Sequence, residues 1–184
     1  IGTYLWGAQV EQLPMATSYI PTTSATVTRN ADVLTYPNTG VVSDTAGTIS
    51  MEATPAFDIP NSAVTGYGVN YLIDFGSNNG SIWVKQQTIH RYDGTTEPST
   101  PVWSPIKNTT YKISSRYGST GQRNFLDGTA GTIGSFDGSI NSGANMSIGK
   151  FGGGLVSAWG GWIKNVKIRR KSLTDSKIIQ LQNS

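Results

Sequence analysis

The feature that most constrains this chain lies near its end. Residues 160–171 read Gly-Gly-Trp-Ile-Lys-Asn-Val-Lys-Ile-Arg-Arg-Lys, followed by Ser172-Leu173-Thr174-Asp175 and then Ile178, Ile179 and Leu181. The pattern is that of a long β-strand and then one or two turns of helix. Trp162, Val166 and Ile168 share one parity, and Lys167 and Arg169 share the other, as on the two faces of a strand. Lys164 interrupts the apolar set and Ile163 interrupts the polar one, which predicts a bulge or a sheet edge at that point. Thr174 is placed to cap the helix, with Asp175 in its positively polarised first turn. Ile178, Ile179 and Leu181 can then tuck the helix against the sheet.

A strand of this kind needs partners, and the rest of the chain supplies short alternating segments. Ile49, Met51 and Ala53 share a face within residues 47–53, and Pro55 and Pro60 stop that strand. Residues 70–75 and 81–86 flank Gly76-Ser77-Asn78-Asn79-Gly80, a hairpin with strong turn chemistry. Residues 88–92 lead into an Asp93-Gly94 turn. Residues 110–117 form a strand, Gly118-Ser119-Thr120-Gly121 turns it into 123–126, and Asp127-Gly128 turns it again. Residues 33–46 read as a connector, with Pro37-Asn38-Thr39-Gly40 as a turn. Residues 95–105 form a loop whose prolines surround Val102-Trp103. Eleven of the 22 glycines fall between Gly128 and Gly161, which predicts mobile rim loops there. Short strands, frequent turns and almost no helix describe an all-β sandwich.

Composition agrees. The 184 residues suffice for one domain with a real core and leave room for a short appendage. There is no cysteine, so neither a disulfide nor a thiolate metal site is available. No apolar run is long enough to span a membrane, and no signal-peptide pattern is present. Charge is uneven: residues 1–149 carry seven Lys/Arg and ten Asp/Glu, whereas residues 150–184 carry seven Lys/Arg and one Asp. The basic end could meet nucleic acid, a phosphate-bearing glycan or an acidic neighbour. Its plain reading is a solvated face that protects a sheet edge, because it lacks the aromatic-basic interleaving of single-strand binders.

Two resemblances follow from these residues. The strand-helix stretch at 160–181, together with Phe125-Leu126-Asp127-Gly128, resembles the closing strand and the aromatic-x-Asp-Gly hairpin of concanavalin A-like and laminin-G-like jelly rolls, over roughly residues 47–181. That implies a concanavalin A-like/laminin-G-like jelly-roll β-sandwich with one short C-terminal helical turn. Nearer the start, Trp6-Gly7-Ala8-Gln9-Val10-Glu11, then Ala16-Thr17-Ser18-Tyr19-Ile20-Pro21-Thr22, then Thr28-Arg29-Asn30-Ala31-Asp32 resemble a segment of bacteriophage tail and other virion proteins. There the segment ends a carbohydrate-binding-like module and leads into a concanavalin-like domain. By this resemblance residues 1–36 are the last strand of a preceding β module plus a linker, and residues 37–184 are the jelly roll. Residues 4–11 alternate like a strand, so the chain reads as a fragment of a longer protein. The missing cysteines favour a bacterial or viral source over a eukaryotic laminin-G module.

The candidate chemistry is sparse. A glycosidase on this fold needs two carboxylates about 5–10 Å apart. The three glutamates, Glu11, Glu52 and Glu97, form no Glu-x-Asp-x-x-Glu strand motif. Asp74 reads as a solvent-facing strand residue, and His90, the lone histidine, as an exposed one. Laminin-G-like domains often hold calcium at the rim, and the loop oxygen donors for it here are Asp93, Asp127, Asp137, Asn78 and Asn79. Turn roles explain Asp93 and Asp127 without metal, so the expectation is no cofactor, with Ca2+ as the one to test. Sugar sites combine an aromatic platform with polar groups. The loop aromatics Tyr92, Trp103 and Trp159 are the candidate glycan contacts, while Trp6, Trp83 and Trp162 read as core or sheet packing.

The resemblance implies a non-enzymatic virion component on the particle exterior, at tail, fibre or capsid surface. It would bind host cell-surface glycan through jelly-roll rim loops. The alternative is a structural decoration or assembly subunit that contacts neighbouring virion proteins and binds no glycan. Either reading expects a homo-oligomer, no nucleic-acid partner and no membrane insertion.

Overall fold

Alternating segments can bury their apolar faces only by stacking, and the computed structural model of the chain stacks them in two antiparallel sheets. The structure describes residues 2–3, 7–10, 18–27, 34–58, 69–76, 80–98, 101–138, 140, 144–151 and 158–184. The chain divides into two units, residues 1–32 and 33–184. The unit boundary precedes the expected 36/37 junction, because Leu34–Pro37 forms a first strand of the larger unit rather than a connector.

In the smaller unit, the Gln9 Oε1 accepts the Ile20 N–H at 2.7 Å. Gly7, at φ +73°, lies against the Tyr19 ring. Residues 7–9 and 19–20 are thus in direct contact within this unit. Trp6 and half of the expected strand at 4–11 lie outside the described residues, and 7–10 are not in a strand.

The larger unit contains ten strands and one helix among its described residues. They are β1 Leu34–Pro37, β2 Gly47–Pro55, β3 Asn70–Asp74, β4 Ile82–Lys85, β5 Thr88–Arg91, β6 Tyr111–Tyr117, β7 Arg123–Leu126, β8 Thr129–Ala130, β9 Asn145–Ile148, β10 Gly161–Arg169 and α1 Asp175–Asn183. One sheet runs β1-β9-β3-β4-β5 and the other β10-β2-β6-β7-β8. Their facing sides bury Ile49, Met51, Ala53, Leu72, Ile73, Val84, Ile89 and Ile113 in a single core. This is the all-β jelly-roll sandwich with a short C-terminal helix.

Local chemistry explains most of the connections. Asp127 and Gly128 both adopt positive φ (45° and 81°) in the two-residue turn between β7 and β8, the type I′ geometry that an Asp-Gly pair favours. Gln86 and Gln87, at φ 47° and 57°, make the same kind of turn between β4 and β5, with no sequence signal for it. β9 arises inside the glycine-rich stretch and lies between β1 and β3. Parts of that stretch, 141–143 and 152–157, lie outside the described residues. In the expected Pro37–Gly40 turn, the buried Asn38 donates its side-chain N–H to the Phe75 carbonyl at 2.7 Å.

The predicted bulge in β10 is present. Lys164 pairs with Glu52 and Lys167 with Ser50, so two β10 residues, Asn165 and Val166, oppose the single Met51. Asn165 takes positive φ (55°). The extra residue reverses the parity of the strand. Ile163 before it, and Val166 and Ile168 after it, all pack on the core. Trp162 therefore points outward and is 60% exposed, contrary to the expectation that it shares the Val166 face.

Candidate functional site

The rim aromatics come first, because sequence reasoning put the site there. Trp103 and Trp159 belong to the core, at 2% and 7% exposure. Their rings stack with centroids 6.2 Å apart, and Tyr111 meets Trp103 edge-on at 4.9 Å. Neither offers a free ring face to a sugar, which corrects the expectation of a platform at these positions. The flanking chain is bonded into the sheets: the Trp103 N–H donates to Gln87 O at 2.6 Å and the Trp159 N–H to Gly149 O at 2.7 Å. Tyr92 is half-buried, and its hydroxyl donates to the Gly94 carbonyl two residues on.

The adjoining Asp93 turn is a closed polar cluster. One Asp93 oxygen accepts the backbone N–H groups of Thr95 (2.9 Å) and Thr96 (2.6 Å). The other accepts the Thr96 hydroxyl (3.0 Å) and the Asp137 N–H (3.1 Å). Burial would raise the Asp93 pKa, but these hydrogen bonds outweigh it and hold the carboxyl below its ordinary value. Gln122 donates to the Thr96 hydroxyl at 2.9 Å and accepts from Arg91 Nε at 2.9 Å. Arg91 is fully buried, with its guanidinium 4.3 Å from the Tyr117 ring centroid. Burial pushes its pKa down to about 10, so it remains a cation at neutral pH.

The remaining residues singled out from the sequence serve the fold. Of the calcium donors, Asp93 is saturated by the chain, Asp137 accepts from the Thr95 hydroxyl at 2.8 Å, and Asp127 accepts the Lys112 N–H at 2.7 Å. Asn78 and Asn79 lie outside the described residues. Among the described residues no three His, Cys, Asp or Glu side chains converge as a metal cluster. Asp74 is buried, at 1% exposure, and the Ser81 hydroxyl donates to it, which corrects the solvent-facing reading. Its strand is covered on both faces: Tyr71 packs on Trp83 and Phe151 and bridges to Ala158. His90, expected to be exposed, is half-buried, stacked on Trp83 and paired with Glu97. Asp74 and Glu52 stand in different sheets, so they do not form a strand-borne carboxylate pair.

A different surface has the required composition: the outward side of the β10-β2-β6 sheet. Helix α1 covers one half of it. Thr174 caps the helix by accepting the Lys177 N–H, and Asp175 in the first turn is gripped by Arg116 and Arg123. Burial acts to raise the Asp175 pKa, and the two arginine hydrogen bonds outweigh it, leaving it below its ordinary 3.8. At the other end Gln182 is nearly buried. Its amide donates to Lys112 O and to Ser114 Oγ, both at 3.0 Å, and accepts the Gly128 N–H at 2.8 Å. Ile178 fills the space between these anchors, while Leu181 is 41% exposed rather than tucked in.

The helix leaves β10 and β2 uncovered, and a groove of about 260 Å³ runs between them and α1. Its lining alternates hydroxyls, such as Ser50 and Ser114, with the cations Lys112, Lys167 and Arg169. Lys112 donates to the Gln182 carbonyl at 2.7 Å and so closes the helix end. Arg169 donates to Ser50 Oγ at 3.4 Å, and no carboxylate among the described residues pairs with Arg169 or Lys167. Glu52 is the acidic member. The Asn165 amide donates to it at 2.7 Å and Lys164 sits at 3.2 Å, which together hold its pKa below the ordinary 4.5.

Trp162 stands on this same outward face, in register with Thr54 and two residues before Lys164. The Thr54 and Thr110 hydroxyls bond to each other beside it at 2.7 Å. Trp162 and Lys167 face Thr54 and Ser50, four residues apart on β2, so they stand about 13 Å apart at about 3.3 Å per β2 residue. An exposed indole and two cations without carboxylate partners among the described residues therefore lie along β10, beside the hydroxyls of Ser50 and Thr54 on the paired strand β2. Sequence reasoning passed over Trp162 because strict alternation paired it with Val166. The signal for its true orientation was the Ile163/Lys164 interruption.

No protein-family model matches the sequence, and neither does any curated protein. Among solved structures, the chain is similar to the CBM40 of Ruminococcus gnavus IT-sialidase bound to α2,3-sialyllactose, with a TM-score of 0.57 and 12% identity over 76% of this chain and 84% of that one. It is also similar to a native heptameric SAP-like pentraxin from Limulus polyphemus (TM-score 0.56, 14% identity, 76% and 70% covered). A Trypanosoma rangeli sialidase matches at TM-score 0.54 and 17% identity over 76% of this chain and 23% of that enzyme. At these identities the likeness is one of fold, and the fold it supports is the jelly-roll sandwich.

Proposed function

We propose that this chain is a non-enzymatic glycan-binding component of a bacteriophage virion, tail- or fibre-associated, facing the particle exterior. The virion assignment is supported by the motif at residues 4–32, and the glycan assignment by the outward face of β10 and β2. The observation that carries it is the exposed Trp162 in line with Ser50, Lys167 and Arg169. A sugar ring has an apolar face that suits an indole and a hydroxyl girdle that suits serine, asparagine and charged donors. The solved CBM40 of similar fold was captured with α2,3- and α2,6-sialyllactose, which makes sugar binding a reasonable use of such a sandwich. The ligand face in this reading is the sheet surface, not the rim loops.

The test is binding of the folded chain to an array of neutral and acidic glycans, repeated with Trp162→Ala. Saturable binding of one glycan class that Trp162→Ala weakens about tenfold or more supports the reading. A folded chain that binds none of them overturns it.

One observation favours the alternative of an assembly subunit. The edge strand β1 is exposed throughout, with Leu34 and Tyr36 at 47% and 49%. An apolar sheet edge is a pairing surface for a second chain. The decoration reading predicts a symmetric oligomer by light scattering that Tyr36→Lys dissociates, together with no glycan binding.

A further inference from the structure

We infer that the groove selects an acidic glycan, whose carboxylate or sulfate sits between Arg169 and Lys167 while a neighbouring ring rests toward Trp162. This deepens the glycan-binding reading and rests on it. Most cations of this surface are already committed. Arg116 and Arg123 share Asp175, and Lys164 has Glu52. Lys112 caps the helix end. Among the described residues of this face, Arg169 and Lys167 are the cations with neither a carboxylate nor a helix carbonyl as partner.

They stand two residues apart on one face, about 7 Å, a spacing an anionic group can bridge with a charge-assisted hydrogen bond to each. Arg169 is the stronger element, because its planar fork matches the two oxygens of a carboxylate or a sulfate. Ser50 beside it adds a hydroxyl at 3.4 Å. Glu52, kept ionised by Asn165 and Lys164, lies one step further toward Trp162. It can accept from sugar hydroxyls and would repel an anion, so the acidic group is directed to the Arg169 end. The groove's small volume suits one sugar residue, with the rest of the chain running along β10.

The test is calorimetric titration of the full chain with three ligands on one scaffold: lactose, sialyllactose and sulfated lactose. We expect at least one acidic form to bind about tenfold or more tightly than lactose, with affinity falling as salt rises. Whichever acidic form binds more tightly identifies the group as carboxylate or sulfate. Arg169→Ala and Lys167→Ala should each reduce the acidic preference to the lactose level. Arg170→Ala, at an exposed position just beyond the strand, should leave it unchanged. Circular dichroism and the melting temperature of each variant establish that it is folded. Equal binding of lactose and both acidic forms, or undiminished acidic binding by folded Arg169→Ala, overturns the inference while leaving glycan binding intact. An array that yields only neutral ligands overturns it likewise. Failure of every neutral and acidic glycan overturns the reading beneath it.

Discussion

The Asp93 turn at the end of β5 and the groove beside α1 on a sheet face are both polar and both charged, yet they use their polar groups in opposite ways. Around Asp93 the polar groups are spent on one another: the Thr95, Thr96 and Asp137 N–H groups saturate the carboxylate, and Gln122 and Ser115 hold Nε and Nη1 of the buried Arg91. In the groove the cations Arg169 and Lys167 lack a carboxylate partner among the described residues, and the aromatic ring nearby is exposed. A saturated cluster fixes a loop and a half-satisfied one can bind a ligand, because a bound group then gains hydrogen bonds that the chain does not already make.

The largest expected effect breaks the rim side of that comparison. Trp103→Ala should cost about 3–5 kcal/mol in denaturant unfolding, since it empties a core site stacked on Trp159 and Tyr111. A loss of glycan binding with unchanged stability would instead mark Trp103 as a ligand contact. Asp93→Ala comes next, at about 3 kcal/mol, because three backbone N–H groups lose their acceptor. Binding by the fraction that stays folded should be unaltered.

Asp175→Asn is a smaller perturbation, about 1–2 kcal/mol, from loss of its two arginine bonds. Its pH signature is distinctive. The folded carboxyl lies below its ordinary 3.8, so its stabilising contribution is complete above that value and is lost as pH falls through the lowered one. The parent chain should lose stability on acidification below about pH 4 more steeply than Asp175→Asn. Parallel pH profiles would show that the pair does not anchor α1. Smallest in stability, Lys167→Ala and Arg169→Ala should shift unfolding by no more than about 0.5 kcal/mol, as expected for surface cations with no carboxylate partner among the described residues. A larger loss in thermal melts would mean that they serve the fold.

Much of the sandwich was legible. Ile49, Met51 and Ala53 point inward as their alternation predicts, and Asp127-Gly128 makes the tight turn its residues demand. Three things were not. Asp74 is polar at a position that alternation assigns to solvent, but the chain covers both faces of its strand and supplies Ser81 as a partner, which a period of two cannot reveal. Trp103 sits among prolines, so local sequence reads as loop, whereas its burial comes from residues more than fifty positions away, such as Trp159. Gln182 anchors α1 through bonds to β6 and to the Asp127-Gly128 turn, a role that an amphipathic pattern of Ile178 and Leu181 hides. The groove was half legible: Lys167 and Arg169 were read on one face, and the bulge was anticipated. Its consequence, an outward Trp162 on that same face, needed the register of β10 against β2.

The most direct test of the outward-face account is a ¹H–¹⁵N correlation titration of the full chain with lactose, sialyllactose and sulfated lactose in turn. The account predicts progressive shifts at the Trp162 indole N–H and at the amides of Ser50, Lys167 and Arg169, with the amides of Tyr92, Gly94 and Trp103 unmoved. Shifts confined to the Tyr92–Trp103 rim, or none at all, would contradict it.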